Sequence, residues 1–174
     1  RSKTDLLDAH TLTVLAAKLN PTPWQPASHT LEAVYQRLRQ RDALLSMIQQ
    51  ERNRLHALQR RPLLVLSVLD RIQAHIAFLQ TQIAELDVEL KQVIAADKSW
   101  QHSTDLLLSI KGFGPIVTHW LLAATRHFTA CQSPEQIASY AGLAPRLFES
   151  GSSVHARPAL GFAPHDRLRQ ALYM

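Results

Sequence analysis

The clearest rhythm in the chain is an apolar one. Val65, Leu69, Ile72, Ile76, Leu79, Ile83, Leu86, Leu90 and Val93 follow each other in steps of four and three without a miss. That spacing keeps one stripe of a helix apolar over about four heptads and predicts a coiled-coil seam. A second heptad precedes it: Leu31, Val34, Leu38, Leu45, Ile48 and Leu55, interrupted by Arg41 and Arg52, with Pro62 stopping or restarting the helix between the two. A short helix is expected over about residues 4–19, with apolar positions Leu6, Leu7, Leu12, Val14 and Leu15. Pro21, Pro23 and Pro26 must end it, because proline removes a helical donor and clashes with the preceding turn. After Trp100 the helical stretches shorten and Gly and Pro return. The expected fold is therefore all-α: a long antiparallel helical hairpin or coiled coil, then a small domain of four or five short helices. The boundaries fall at 1–28, 29–98 and 99–174.

Charge sharpens the hairpin. Residues 31–61 hold seven Arg against Glu32, Asp42 and Glu51, whereas residues 62–98 hold five acids against Arg71, Lys91 and Lys98. A basic helix beside an acidic one fits an antiparallel pair, within one chain or exchanged between two. The net charge of +5, carried mostly by Arg, permits a nucleic-acid partner without demanding one. With hydrophobic residues at 46%, a packed core is affordable and global disorder is excluded. The lone Cys131 rules out an internal disulfide and a zinc site of the cysteine type, and it suits a reducing cytoplasm. No apolar run reaches the ~20 residues that cross a bilayer.

Three local signals could carry chemistry. The first is Ile110-Lys111-Gly112-Phe113-Gly114-Pro115 between two apolar stretches, a helix-hairpin-helix pattern. Its two glycines let backbone N–H groups face outward at the start of the second helix, where a phosphate can dock. An ordinary helical corner would use glycine in the same way. The second is Asp5 with Asp8, whose spacing puts two carboxylates on one helix face, an oxygen-rich arrangement that suits Mg²⁺. Acids in a first helical turn are also favoured by the helix dipole alone. The third is Ala141-Gly142-Leu143-Ala144-Pro145 followed by Glu149-Ser150-Gly151-Ser152-Ser153, read as a flexible loop that exposes hydroxyls, with Arg146 and Arg157 beside it and Arg167 and Arg169 beyond.

In their order along the chain these motifs resemble the DEDD-type insertion-sequence transposases, the group that also contains the Piv DNA invertase. The resemblance covers nearly the whole chain, and Ala-Gly-Leu-Ala-Pro with the following Ser-Gly is its most specific part. It implies an N-terminal RuvC-like domain whose four acids hold Mg²⁺, a coiled coil, and a C-terminal domain with a nucleophilic serine. Asp5 and Asp8 match the last two acids and would be the metal ligands; the first two would lie upstream of Arg1. Ser150 matches the serine, with Ser152 and Ser153 as near alternatives. Lys111, Gly112, Phe113 and Gly114, with Arg146, Arg157 and Arg169, would contact DNA. Where the family usually has a basic residue before a late glycine, Leu160 precedes Gly161. The resemblance further implies a homodimer or higher oligomer acting on DNA, in some members with an element-encoded guide RNA. It implies a DNA recombinase in the whole protein and a chain inactive by itself. Two other readings remain open: a non-catalytic nucleic-acid-binding module and a coiled-coil interaction protein.

Overall fold

The computed structural model describes residues 4–21, 23, 26–131, 133–150, 154–160 and 166–172. Among these described residues, seven helices and one pair of strands follow in the order α1 (Asp5–Leu19), α2 (His29–Gln59), α3 (Leu66–Ala96), α4 (Lys98–Leu108), α5 (Pro115–Ala124), α6 (Pro134–Tyr140), β1 (Pro145–Ser150), β2 (Val154–Leu160) and α7 (Asp166–Leu172). The expected all-α character holds, with a single two-stranded antiparallel sheet added to it. Among the described residues no helix is long and apolar enough to cross a membrane.

Helices α2 and α3 form the long hairpin. Their direction is fixed by side-chain pairs that march in opposite senses: Thr30 with Asp97 at 2.8 Å, Arg37 with Glu89 at 2.8 Å, Arg41 with Asp87 at 2.7 Å and Glu51 with His75 at 3.2 Å. The basic helix thus lies against the acidic one, as the charge pattern predicts. Ser28 caps α2 by accepting the Leu31 N–H, which satisfies one donor that the first turn leaves open. The seam of α3 is buried at Ile72, Leu79 and Leu90, and also at Ile94, one residue beyond the predicted Val93, which is half-buried. On α2 the buried positions are Leu31, Val34, Leu38, Leu44 and Ile48, and Leu45 is 42% exposed. The predicted stripe slips by one residue there, because a straight helix drifts from a strict seven-residue repeat.

The proximal end of the hairpin and the C-terminal helices share one core. Leu31, Val34, Leu38, Leu90 and Ile94 pack with Trp100, Trp120, Leu122 and Ala123. A second cluster joins Leu121 and Ala124 of α5 to Ala141 and to Leu168 of α7. The distal half of the hairpin has only Leu44, Ile48 and Leu79 as its buried cluster.

The strands were not expected. Glu149 and Ser150 fall in β1 rather than in a loop, paired with His155 and Val154. The intervening Gly151-Ser152-Ser153 lies outside the described residues. Pro145 opens β1 and Pro158 sits within β2, positions open to proline because a two-stranded ribbon has only edge strands. The register shifts between Arg146 and Phe148, a bulge that absorbs the mismatch.

Candidate nucleic-acid interface

The corner between α4 and α5 is built from both ends. Asp97 caps α4 by accepting the Ser99 and Trp100 N–H groups, and it also accepts the Thr30 hydroxyl from the start of α2. That hydroxyl above all, helped by the two cap bonds, holds the Asp97 carboxyl below the usual carboxylate range against the opposing effect of desolvation. The chain leaves α4 through Ile110 N–H to Leu107 C=O and Phe113 N–H to Ile110 C=O, both 3.1 Å. Gly112 takes φ +99°, a conformation that side chains resist, although a methyl group there would meet nothing within 4 Å. Gly114 caps α5 and Pro115 is its first residue. The first helical bond is Thr118 N–H to Gly114 C=O, so the N–H groups of Ile116 and Val117 open onto the end of the helix. Lys111 and Gly112 are exposed, and Phe113 folds inward against the second core cluster.

Behind the corner, α5 is buried from Thr118 to Ala124. His119 is 4% exposed, and burial, outweighing the opposing pull of Asp87, drops its pKa to about 4, so the ring is neutral. A turn follows that the sequence reading missed. Arg126, His127 and Phe128 all have positive φ, at 51°, 54° and 63°. Left-handed backbone costs a non-glycine residue roughly 1–2 kcal/mol. The turn is held by His127 N–H to Leu122 C=O at 2.7 Å and by the buried Thr125 hydroxyl, which accepts Phe128 N–H and donates to Leu121 C=O. Ser103 bonds His127 at 3.0 Å, and Trp100 stacks on the same ring. Arg126 itself is exposed. Residue type gives no hint of this turn, since no glycine marks it.

The Ala-Gly-Leu-Ala-Pro segment is fastened from α7. The Arg169 guanidinium donates to the carbonyls of Ala141 and Gly142 at 3.1 and 3.4 Å, so this residue, expected at DNA, is engaged within the fold. Arg167 pairs with Asp42 on α2 at 2.8 Å, tying the last helix to the hairpin. Desolvation raises the Asp42 pKa despite the nearby Arg167, Arg41 and Arg39. β1 runs out of this segment and ends at Ser150, which pairs with Val154 at the start of β2. Arg146 lies at the start of β1 opposite Ala159, and Arg157 lies in β2. Ser152 and Ser153 are outside the described residues.

Asp5 and Asp8 occupy the exposed first turn of α1, which Thr4 caps. No described cation or donor engages either carboxylate, which leaves both free to ligate. They fit as two oxygen ligands of a larger set, since Mg²⁺ takes one or two carboxylates and completes its shell with water and phosphate. Among the described residues no group of three or more His, Cys, Asp or Glu is placed to hold a metal ion. α1 packs on no other described element, so the two aspartates and Ser150 are not brought together.

A helical corner, a fastened Ala-Gly-Leu-Ala-Pro segment and a serine-ending strand pair are therefore joined in one C-terminal unit. Residues 104–174, which contain it, match the model of the Transposase IS116/IS110/IS902 family. The whole chain is 36% identical to the pilin gene-inverting protein of Moraxella bovis and 35% identical to that of Moraxella lacunata. In each case all of this chain aligns with 52% of the relative, so the chain spans about half the length of these relatives. Through residues 104–174 the chain is thus similar to the insertion-sequence transposases of the IS116/IS110/IS902 family.

Proposed function

We propose that the whole protein is a DNA recombinase that cuts and rejoins strands, and that this chain supplies its DNA-handling half. The observation that carries this is the α4–α5 corner. There an exposed Lys111, a left-handed Gly112 and the open N–H groups of Ile116 and Val117 lie within seven residues of one another, inside the segment that matches the transposase family. A duplex phosphate docks at such a corner without reading bases. Arg126 joins the set, because it is exposed at a left-handed position that glycine would fill with less strain. Arg146 and Arg157, which lie in β1 and β2, would be further contacts to DNA. Arg169 would act by positioning the segment ahead of β1.

Ser150 is the proposed nucleophile. Its Oγ would attack the phosphorus, forming a serine–phosphate bond as the bond to the leaving deoxyribose oxygen breaks. The departing oxygen takes up a proton, and the covalent link conserves the energy for rejoining. Asp5 and Asp8 would hold Mg²⁺ together with carboxylates from outside this chain, and the ion would supply charge neutralisation at the phosphate. With only two of those carboxylates, this chain by itself should not cleave DNA. Assembly as a homodimer or higher oligomer, and use of a guide RNA, belong to the same proposal.

The test is binding of this chain to duplex DNA and to structured RNA across a salt series, beside Lys111→Glu. The reading predicts binding that weakens steeply with salt and is damaged by the substitution. If neither nucleic acid binds at low salt, the corner is only a bend in a helical fold. A Ser150→Ala variant of the full-length protein should in addition lose a covalent DNA adduct that wild type forms.

A further inference from the structure

More than half of the net positive charge of the chain lies around the distal end of the hairpin. Residues 51–75, around the distal end of the hairpin, hold Arg52, Arg54, Arg60, Arg61 and Arg71 against Glu51 and Asp70. That leaves three of the five net positive charges on 25 residues, with His56 and His75 beside them. Nearer the C-terminal unit two of the three arginines of α2 are paired with α3, Arg37 with Glu89 and Arg41 with Asp87, and Arg39 lies over the Tyr35 ring. At the distal end Glu51 engages Arg54 and His75, while Arg52, Arg60, Arg61 and Arg71 are exposed with no carboxylate within ion-pair distance among the described residues. The segment contains no Lys, and the guanidinium fork matches phosphate oxygens better than an ammonium does.

We propose that the distal end of the hairpin is a second duplex-DNA contact, in which Arg52, Arg60, Arg61 and Arg71 hold backbone phosphates. This rests on the recombinase reading above. Each arm has 31 residues, a length of about 45 Å at 1.5 Å per residue. The contact therefore lies at the opposite end of the hairpin from the core that α2 and α3 share with α4 and α5, on DNA flanking the reacting bonds. A second copy meeting this one tip to tip is disfavoured by charge, because five guanidinium groups from each copy would converge. It would, however, cover the exposed Leu63 and Leu66, which are 80% and 68% accessible.

The experiment compares the chain with its Arg52→Gln/Arg60→Gln/Arg61→Gln/Arg71→Gln variant on a ~30 bp duplex across a salt series. Lys111→Glu runs in parallel, with light scattering for mass and circular dichroism for helix content. The expected result is at least a ~10-fold weaker Kd and a salt slope smaller by about 3.6, since each of four lost phosphate contacts removes about 0.9. Mass and helix content should be unchanged. An unchanged Kd and slope overturns the proposal, and if Lys111→Glu still loses binding, the recombinase reading survives it. A fall in mass alongside the loss of binding assigns the tip to self-association instead. Tighter binding to phosphatidylserine vesicles than to DNA, dependent on the same four arginines, assigns it to a membrane surface. Wild type that binds no duplex at all overturns both readings.

Discussion

Thr125 shows how one hydroxyl stabilises a stretch of backbone that residue type opposes. It is fully buried, and its oxygen both donates to Leu121 C=O and accepts the Phe128 N–H at the end of the left-handed run. Thr125→Val keeps the shape and strands a buried donor, so a loss of about 1–3 kcal/mol is expected in urea unfolding, with Thr125→Ser close to wild type. Arg126→Gly should do the reverse, leaving stability equal or up to about 1 kcal/mol higher by relieving φ 51° while weakening DNA binding. A lower stability and unchanged binding would remove Arg126 from the interface. His119 sets a pH dependence. Its pKa in the fold is about 4 against an ordinary 6.5, so the unfolded chain takes up the proton first. Its contribution is complete above pH 6.5 and is lost as pH falls toward 4, by up to roughly 3 kcal/mol. Asp87 and Lys91 of α3 act on the ring with opposite sign and leave burial dominant. His119→Leu should flatten urea midpoints between pH 7 and 4.5; an unchanged slope would assign the effect to other groups.

At the scale of elements, the hairpin was legible because periodicity and charge agreed. The α3 stripe and the opposed signs of the two helices both needed an antiparallel partner, and the structure supplies it in the Arg37–Glu89 and Arg41–Asp87 pairs. The slip from Leu45 to Leu44 was not legible, since adjacent leucines leave the register to three-dimensional packing. The strand pair was hidden for a related reason. Glycine and serine in Glu149–Ser153 read as a loop, and the strands on either side are short and interrupted by Pro158 and a bulge. Of the candidate site, the α4–α5 corner was visible in its two glycines, and the 126–128 turn was not, because its support is a buried threonine and not a turn residue. The division of the core predicts unequal strength along the hairpin. Leu90 is wholly buried in the cluster shared with Trp100 and Trp120, whereas Leu79 belongs to the thin distal cluster. Leu90→Ala should cost about 2–5 kcal/mol of global stability. Leu79→Ala should instead speed amide exchange mainly in the distal arms and spare α5. Equal loss of protection in α5 would mean that the hairpin and the C-terminal unit unfold as one.

For the molecule as a whole, the odd element is α1. It has good caps, Thr4 at one end and a left-handed Asn20 at the other, yet it buries none of its residues and packs on no other described element. Leu6, Leu12 and Leu19 are 82%, 66% and 70% exposed. A 15-residue helix without a packed face is marginal in water, because nucleation is costly and tertiary contact supplies most helical stability. The relatives are about twice as long as this chain, so a surface for those leucines is expected in the longer protein. Two consequences are linked. In the chain by itself, amides of residues 5–19 should exchange with protection on the order of tenfold or less, far below those of α5. Asp5 and Asp8 should then be poorly preorganised, so Mg²⁺ should bind this chain only at millimolar concentration, and Asp5→Asn/Asp8→Asn should leave its stability unchanged. In the longer protein both effects should reverse together: protection of α1 should rise, and the double substitution should weaken Mg²⁺ binding. Protection in the isolated chain matching that of α2 would show that α1 is self-sufficient. Its leucines would then need no docking surface, and the case for the two aspartates as half of a larger metal site would lose its structural support.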